Sequence, residues 1–442
     1  MGSMKLSRSI LRTFVILQFW GASGQQTAFS LIENGVVTNS TANITAGNAT
    51  TTDNSDEIDV PIDLVLDLPE YALEDLISPR FLAYQWLLDH PRLSSLTEDR
   101  KAQMYALVTW YYSMQGDKWD ETAQASFLNY DISECNWSTE VLCRNVTDGN
   151  ITYLYLSDLE TRGLEGIMPA EVAMIPELRS ISITNCGLDA QLEEDMLPLS
   201  FYRTGLRRRL RNINYSGNRL EGTIPTRIGR LNNLNSLNFD GNSLDGPLPS
   251  ELGLMDDLVS LRIESNRLTS TIPTEIANLM ELEVLALEGN RLTGSIPFDI
   301  GALANLEELQ LQNNRFNSTI PLVFGVLIQL KKLRLEDNQF SGTLPAQFSG
   351  LTNLEELNLE NNPGIVGTIP PQWGNLQSLT ELRLGGTQLV GVIPRSMCQI
   401  LSINILEVNC SNVECPAVCT CQCQQAVVPN TNTTTSSVSR TP

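Results

Sequence analysis

Residues 258–273 read LVSLRIESNRLTSTIP, and the same frame, LxxLxLxxNxL, returns along much of the chain at a spacing of 24 residues. A fixed period of this length indicates one supersecondary unit stacked many times, because a single unit cannot bury its own apolar face. The apolar side chains expected to point inward and pack on the next unit are Leu258, Leu261, Ile263 and Leu268. The chain is therefore predicted to be a solenoid whose function lies on a long open surface.

An asparagine follows each predicted strand and turns the chain outward. Its side-chain amide carries donors and an acceptor, so a column of asparagines can satisfy the buried backbone groups of neighbouring turns. Cys186 takes this place in the second repeat and Thr387 in the tenth. The spacing predicts a structural ladder, and no catalytic site, at Asn218, Asn242, Asn266, Asn290, Asn314, Asn338 and Asn362.

The second half of each unit reads LxGxIPxxIGxL, with prolines at Pro225, Pro249, Pro273, Pro297, Pro321, Pro345, Pro370 and Pro394. These residues and this spacing resemble the plant-type leucine-rich-repeat family, whose members include receptor ectodomains and inhibitors of pectin-degrading enzymes. The resemblance covers about residues 151 to 409. It implies an α/β solenoid: a right-handed superhelix of about ten 24-residue repeats with a concave parallel β-sheet, short 3₁₀ turns outside and a helical N-terminal cap.

The N-terminus has the pattern of a secretory signal peptide over residues 1–24. Lys5, Arg8 and Arg12 precede the apolar run 14–20, and small residues follow it. A retained membrane anchor is the alternative, but such a run falls well short of the roughly 20 residues that span a bilayer. No later stretch is long and apolar enough to span one, so the mature chain is expected to be secreted and extracellular, cell-surface or wall-associated.

The rest of the chain divides by composition. The predicted segments are a disordered glycosylated leader at 25–60, a helical N-terminal cap at 61–150, the leucine-rich repeats at 151–397, a cysteine-rich C-terminal cap at 398–423 and a Ser/Thr-rich disordered tail at 424–442. The cysteine-rich C-terminal cap resembles the tails of microalgal relatives of the plant-type proteins.

Two helices are predicted in the N-terminal cap. Ser78 before a proline suits one helix start, which Pro91 ends, and Thr97 before two acids suits the second, with Gly116 as its stop. The second helix places on one face Met104, Leu107, Val108, Tyr111 and Tyr112.

Sequons and cysteines agree with an oxidising, extracellular compartment. Candidate N-glycosylation sites are Asn39, Asn43, Asn48, Asn136, Asn145, Asn150, Asn214, Asn317, Asn409 and Asn432. Candidate disulfide cysteines, grouped before and after the array, are Cys135, Cys143, Cys398, Cys410, Cys415, Cys419, Cys421 and Cys423. Their connectivity stays open, and the ninth cysteine, Cys186, is expected to be a buried thiol.

The strongly acidic composition limits the classes of partner that the chain can bind. The formal charge of −22 becomes −25 once Lys5, Arg8 and Arg12 leave with the signal peptide. Nucleic acid is an unsuitable partner for such a surface, which favours cationic ligands or divalent ions.

One column of concave positions is acidic: Asp240, Glu264, Glu288, Gln312, Glu336 and Glu360, here called the acidic column. Adjacent strands lie roughly 4.8 Å apart, so these carboxylates should repel one another. Neighbouring cations offer partial compensation within the sheet: Arg262, Arg334, Arg383, Lys331 and Lys332. A solvated, internally paired face is one interpretation, and a site for a basic protein, a peptide or Ca²⁺ is the other.

An enzyme is disfavoured. Carboxylates about 5 Å apart also suit a retaining glycosidase. However, these acids repeat along an open sheet, whereas a glycosidase needs one distinct acid in a cleft. The only histidine, His90, lies in the predicted cap, so the sequence offers no histidine-based triad or zinc site, and no catalytic residue, metal or cofactor is expected.

An arginine-rich insertion follows the second repeat: Arg203, Arg207, Arg208, Arg209 and Arg211. A processing site, an anionic-glycan contact, or pairing with nearby acids such as Glu193 are all open. A glycan on the adjacent Asn214 would block the N-terminal part of the concave face and shift binding toward repeats four to ten.

Three functions therefore remain. The favoured one is an extracellular recognition, adhesion or receptor-like module that binds a protein, a peptide or a cell-wall glycan on its concave face. The alternatives are an inhibitor of a secreted polysaccharide hydrolase and a passive structural wall glycoprotein, because all would use the same scaffold.

Overall fold

The computed structural model describes residues 78–116, 128, 166–417, 419 and 421–423, with the backbone of a few strands elsewhere. It contains two compact units, Met1–Asp56 and Glu57–Pro442. The first unit has three antiparallel strands, at Phe14–Ile16, Ala28–Glu33 and Val36–Thr41. They fall within the predicted signal peptide and leader, whose boundaries, cleavage and disorder stay predictions.

A long sheet runs the length of the second unit. Its strands within the described chain are Val141–Leu142, Tyr153–Ser157, Ser180–Thr184, Asn212–Asn214, Ser236–Asn238, Ser260–Arg262, Val284–Ala286, Glu308–Gln310, Lys332–Arg334, Glu356–Asn358, Glu381–Arg383, Ile405–Val408 and Gln422–Cys423. All pair in parallel with their sequence neighbours except the first, which is antiparallel to the second. The predicted α/β solenoid with a parallel sheet is confirmed.

The opposite side of each repeat carries one short 3₁₀ helix after its proline. These helices are Ala170–Met174, Thr226–Arg230, Ser250–Leu254, Thr274–Asn278, Phe298–Ala302, Leu322–Val326, Ala346–Gly350, Pro371–Asn375 and Met397–Gln399. Short outer strands join some repeats at Thr293–Gly294, Arg315–Phe316, Ser341–Thr343, Gly364–Gly367, Gln388–Leu389, Gly391–Val392 and Val413–Glu414. The insertion adds a π-helical turn, Leu192–Met196, and two short helices, Leu199–Arg203 and Leu206–Arg209.

The core is a stack of equivalent apolar side chains. Leu258, Leu261, Ile263 and Leu268 are all fully buried, as are their counterparts in the neighbouring repeats. Register aligns Leu261 with Leu285 in the next strand. Because each row of side chains packs on the next, every repeat is buried in part by its neighbours, and no single repeat has a complete core.

The asparagine amides close the turns from within. Asn290 Oδ1 accepts the backbone N–H of Leu268 at 2.9 Å, and its Nδ2 donates to the carbonyls of Ile263 at 2.8 Å and Leu287 at 3.1 Å. A further bond reaches the carbonyl of Glu288 at 3.3 Å. The same pattern of amide bonds to preceding and same-turn backbone recurs from Asn218 to Asn362. The amides thus form a continuous ladder across the repeats.

The two ends of the ladder use weaker groups. The Cys186 thiol is buried and donates to the carbonyl of Thr184 at 3.2 Å. Thr387 Oγ1 donates to the carbonyl of Leu384 at 2.7 Å. Neither side chain has the combined donors and acceptor of an amide.

The N-terminal cap begins with helix α1 (Pro79–Leu88), capped by Ser78 Oγ, and helix α2 (Glu98–Ser113), capped by Thr97 Oγ1. Both predicted helix starts are confirmed. Burial of α2 is wider than the predicted single face, because every residue from 102 to 111 is buried. The cause is packing on two sides: α2 contacts both α1 and the first 3₁₀ helix of the array.

The C-terminal end is held by disulfides Cys398–Cys419 and Cys415–Cys421, and Cys410 is also disulfide-bonded. Disulfide bonding in this segment is therefore confirmed. The long sheet continues into the predicted cap through Ile405–Val408 and Gln422–Cys423. Cys135 and Cys143 lie outside the described residues. Across the described chain, no helix combines the length and apolarity needed to cross a bilayer.

Replacing Asn290 with alanine should lower the free energy of unfolding by about 3 kcal/mol, because it strands several buried backbone donors and acceptors. Asn305→Ala is the matched control: this exposed amide makes one bond, to the carbonyl of Met280 at 3.0 Å, and its loss should cost about 0.5–1 kcal/mol. Denaturant unfolding followed by circular dichroism measures both. Equal losses in the two variants would contradict a dominant role for the ladder.

Candidate functional site

The acidic column lies on the concave face of the sheet. Each of its members directly follows the last inward-pointing residue of the LxxLxL frame. Backbone bonds hold its members in register, since Ser265 N–H donates to Glu288 O at 2.8 Å and Gly289 N–H donates to Gln312 O at 3.0 Å. Neighbouring members therefore stand one strand apart, about 4.8 Å. The structure brings all six predicted residues into one row.

The first member has a structural task. Asp240 Oδ1 accepts the backbone N–H of Glu264 at 2.8 Å, and the N–H of Asp240 itself donates to Asn238 Oδ1 at 2.8 Å. This carboxyl therefore links two turns of the backbone. It is a poor candidate for a group that exists only to contact a partner.

The predicted cations mostly pair with a different set of acids. Lys331 Nζ donates to Glu307 Oε2 at 2.7 Å, and Lys332 Nζ donates to Glu308 Oε1 at 2.8 Å. Two arginines behave alike: Arg334 Nη2 donates to Glu356 at 3.0 Å, and Arg383 bonds both Glu381 and Glu407. Arg262 bonds a member of the acidic column, since its Nη1 donates to Glu264 Oε1 at 3.2 Å.

Arg262 also crosses an entire strand. Its Nη2 lies 3.8 Å from Glu308 Oε2, two repeats away. The intervening residue at this level is Ala286, which is completely buried. A larger residue at 286 would stand in the path of the guanidinium. The small side chain therefore permits an ion-pair network that joins Arg262, Glu308 and Lys332.

Three consecutive members of the acidic column have oxygens that are buried yet accept no hydrogen bond. These atoms are Glu288 Oε2, Gln312 Oε1 and Glu336 Oε2. Gln312 as a whole is only 7% exposed. The nearest charged neighbour of Glu288 is the Glu264 carboxyl, so a bond between these two groups needs a proton on one of them.

Burial raises the pKa of several column carboxyls. Desolvation and the nearby Glu264 carboxyl raise the pKa of Glu288 to about 8. Desolvation and Glu264 also raise the pKa of Asp240 to about 7, against the opposing effect of the backbone hydrogen bond. Desolvation raises the pKa of Glu336 to about 7, although Arg334 opposes it. The pKa of Glu360 is raised by desolvation and by Glu407.

One paired acid, Glu308, behaves in the opposite way. Although desolvation alone would raise the pKa of Glu308, the ammonium of Lys332 and the guanidinium of Arg262 lower it overall. Glu308 is thus charged and paired, whereas Asp240, Glu288 and Glu336 are desolvated and retain protons near neutral pH.

The sequence reasoning missed the paired acids: Glu307, Glu308, Glu356, Glu381 and Glu407. Their signal was present, since acids at the middle positions of the LxxLxL frame also face the concave side and alternate there with lysine and arginine. Because the cations were considered only as partners of the acidic column, these five acids were not predicted.

The arginine-rich insertion is partly structural. Arg209 Nη2 donates to the carbonyls of Ala173 at 3.5 Å and Ile175 at 3.4 Å, at the end of the first 3₁₀ helix of the array. Arg211 Nη1 donates to the carbonyl of Arg208 at 2.8 Å. Glu193 pairs with Arg227 of the next repeat, so the predicted pairing of Glu193 with the insertion is replaced by a contact outside it.

The sequons occupy different places. Asn214 lies on a concave strand, where its Oδ1 accepts the N–H of Ser216 at 3.0 Å; Asn317 is exposed, and Asn409 is partly exposed. Asn39 falls in a strand of the first unit. Glycosylation stays a prediction at all ten sites, of which Asn43, Asn48, Asn136, Asn145, Asn150 and Asn432 lie outside the described residues.

His90 has a packing role in the cap. The residue is 4% exposed, and its Nδ1 accepts the N–H of Arg92 at 3.1 Å. Its ring also meets Trp86 edge to face, with centroids 5.8 Å apart. Among the described side chains, no three His, Cys, Asp or Glu residues converge as a metal-binding group.

The parallel sheet, the proline-led 3₁₀ helices and the amide ladder define a leucine-rich-repeat solenoid of the plant type. Residues 256–316, 304–363 and 328–389 match the family model described as "Leucine rich repeat", and residues 233–255 match a single-repeat model. No curated protein matches the sequence at a significant level.

Solved structures with the same fold include two plant receptor ectodomains. The ectodomain of the receptor kinase GASSHO1/SCHENGEN3 from Arabidopsis thaliana, in complex with Casparian strip integrity factor 2, is 27% identical with a TM-score of 0.60. The match covers 69% of this chain and 35% of that one. The Arabidopsis receptor kinase HAESA ectodomain, in complex with an N-terminally extended IDA peptide hormone, is 27% identical with a TM-score of 0.51.

The HAESA match covers 67% of this chain and 54% of that ectodomain, so the chain spans only about a third to a half of these receptors' length. A plant ice-binding protein is 25% identical with a TM-score of 0.53, over 65% of this chain and 87% of that one. The shared fold therefore extends to proteins with different ligands.

The raised carboxyl pKa values predict that stability falls as pH rises. Asp240, Glu288 and Glu336 keep protons in the folded state that the unfolded chain releases above about pH 4. Their contribution is fully present below about pH 4 and is lost as pH rises through about 7 to 8. Since the groups are partly exposed, we expect a total loss of only about 1–3 kcal/mol.

The triple variant Asp240→Asn, Glu288→Gln and Glu336→Gln should remove this fall, and urea unfolding at about pH 5 and about pH 8 measures it. The matched control, Glu275→Gln with Asp299→Asn, changes exposed acids on the 3₁₀-helix side and should leave the pH dependence intact. A triple variant with the wild-type pH dependence would show that these carboxyls do not hold the protons.

Proposed function

We propose that this chain is an extracellular recognition module, adhesive or receptor-like, that binds a protein or peptide partner across its concave face. The observation that carries the proposal is the row of buried, unsatisfied carboxyl and amide oxygens at Glu288, Gln312 and Glu336. A merely solvated face would leave such oxygens in contact with water. Here the scaffold withholds them from water without supplying a donor.

Two comparisons support a recognition function. The GASSHO1/SCHENGEN3 and HAESA ectodomains were each solved with a bound factor or peptide hormone, and both share the repeat fold of this chain. The ice-binding neighbour shows that fold alone does not decide function, so the argument depends on the charged concave side chains of this chain.

The charge arrangement favours a partner with basic groups. The acidic column faces outward beside ion pairs that already neutralise the local lysines and arginines. Acid groups without internal cations therefore remain for a partner. Complementary charge of this kind directs association and rejects acidic competitors. Secretion through the N-terminal segment is part of the proposal, because a partner outside the cell requires it.

Charge reversal at Glu264 and Glu288 should weaken capture of the partner from the secretions and wall extract of the source cells by at least about tenfold. The matched control, Glu275→Lys with Asp299→Lys, makes the same charge change on the side of the 3₁₀ helices. Affinity capture followed by mass spectrometry compares the variants after circular dichroism shows that both are folded.

A partner retained by wild type and the control, but lost by the concave variant, would support recognition by this face. Equal capture by all three proteins would contradict it. Capture of nothing by wild type would favour a structural glycoprotein, whereas capture of a polysaccharide hydrolase with loss of that enzyme's activity would favour the inhibitor alternative.

A further inference from the structure

Glu288, Gln312 and Glu336 form three consecutive steps of the acidic column and share one deficiency. Each has an oxygen that is shielded from water and accepts no hydrogen bond, and Gln312 is buried to all but 7% of its surface. Leaving a buried acceptor without a donor costs about 1–3 kcal/mol. Repeating that cost on three adjacent strands is expected where a ligand supplies the donors.

The protein's own cations on either side are already engaged. Arg262 bonds Glu264 and reaches Glu308, while Arg334 bonds Glu356 on the far side of the row. Lys332 also bonds Glu308. These contacts engage the neighbouring cations with acids other than Glu288 and Glu336.

We propose that the Glu288–Gln312–Glu336 row binds the cationic side chain of an arginine or lysine in the peptide partner. The inference rests on the proposed function and deepens it by naming the partner's chemistry. A guanidinium has five N–H donors and no acceptor, which suits three neighbouring oxygens that have no donor of their own. Its planar set of N–H donors can bond oxygens on two adjacent strands at once, because these strands lie about 4.8 Å apart.

The neutral residue in the centre fits this role. Gln312 offers an oxygen to the cation without adding a third carboxyl to the row. A glutamate there would place like charges on three successive strands, which would raise the cost of the empty site. The amide therefore keeps acceptor density high while limiting repulsion.

Binding a cation should exchange protons, given the charges that face each carboxyl. Glu288 faces Glu264 and Asp240, and Glu336 faces Arg334, Glu356 and Asp337. Burial raises the pKa of Glu288 to about 8 and that of Glu336 to about 7, so both hold protons in mildly acidic solution. An arriving cation favours the ionised carboxylates, and protons are released.

The test is titration calorimetry with a short alternating arginine–glycine peptide and the same peptide with citrulline in place of arginine. Affinity for the arginine peptide should rise about tenfold between about pH 6 and about pH 8.5, with proton release near neutral pH. Proton release is read from the difference in apparent enthalpy between phosphate and Tris buffers. The citrulline peptide, which keeps the shape without the charge, should bind at least about tenfold more weakly.

Two variants locate the effect. Glu288→Gln with Glu336→Gln should lower affinity about tenfold and abolish proton release, and Gln312→Leu should lower affinity by about three- to tenfold. Glu283→Gln is the matched control, because this exposed acid precedes strand Val284–Ala286 and lies outside the row. It should leave affinity and proton release unchanged.

Equal weakening by the control and the double variant would reduce the interaction to general attraction by an acidic surface and overturn the proposal. Binding of Ca²⁺ at the row, with none of the arginine peptide, would also overturn it. The outcome is separable from the wider function. If the concave face captures a natural partner but the row variants bind it normally, only this inference fails. If nothing is captured, the peptide titration still decides whether the row binds cations.

Discussion

Each repeat turns at its ladder asparagine, where backbone N–H and C=O groups are buried. A buried backbone group of this kind needs a hydrogen-bond partner. The Asn290 amide meets the need by bonding the turn before it, through Ile263 and Leu268, as well as its own turn through Leu287. A shorter or purely apolar side chain would leave several such groups unsatisfied. From Asn218 to Asn362 every turn uses the same amide, so the repeat length is held at 24 residues, and the regular sheet follows from that constancy.

A constant repeat length places equivalent residues in contact on both faces of the sheet. Inside, this stacks Leu261 on Leu285 and spreads a single core through the array. Outside, the same geometry stacks acids on acids about 4.8 Å apart, where they shield one another from water. An open surface can therefore desolvate a carboxyl without any cleft. The raised pKa of Glu288 results from this crowding as well as from the charge of Glu264.

The sequence predicted what depends on backbone position: the frame, the ladder, the helix starts and the row of acids. It could not predict the ion pairs, because the frame places a Cα atom but not the end of a long side chain. Arg262 passes over Ala286 to approach Glu308, a reach set by its own rotamer and by a small neighbour. The extension of the sheet into the C-terminal cap was readable, since Ile403, Leu406 and Val408 keep the LxxLxL spacing. Ser411 stands where the frame has its ladder asparagine, and this concealed the extension.

The concave face contains carboxyls that are bonded to cations and carboxyls that are not, and the two kinds have different physical roles. Glu308 is desolvated but is held ionised by Lys332 and Arg262, and that network ties strands together. Glu288 and Glu336 have no comparable cation bonded to them within the described chain, and the Oε2 atom of each loses water without gaining a donor. A scaffold selected only for stability would replace such groups with paired or apolar residues. Glu288 and Glu336 lie on either side of neutral Gln312, and the guanidinium groups of the two neighbouring arginines bond other acids. This arrangement separates the part of the face that stabilises the solenoid from the part that is left for a ligand.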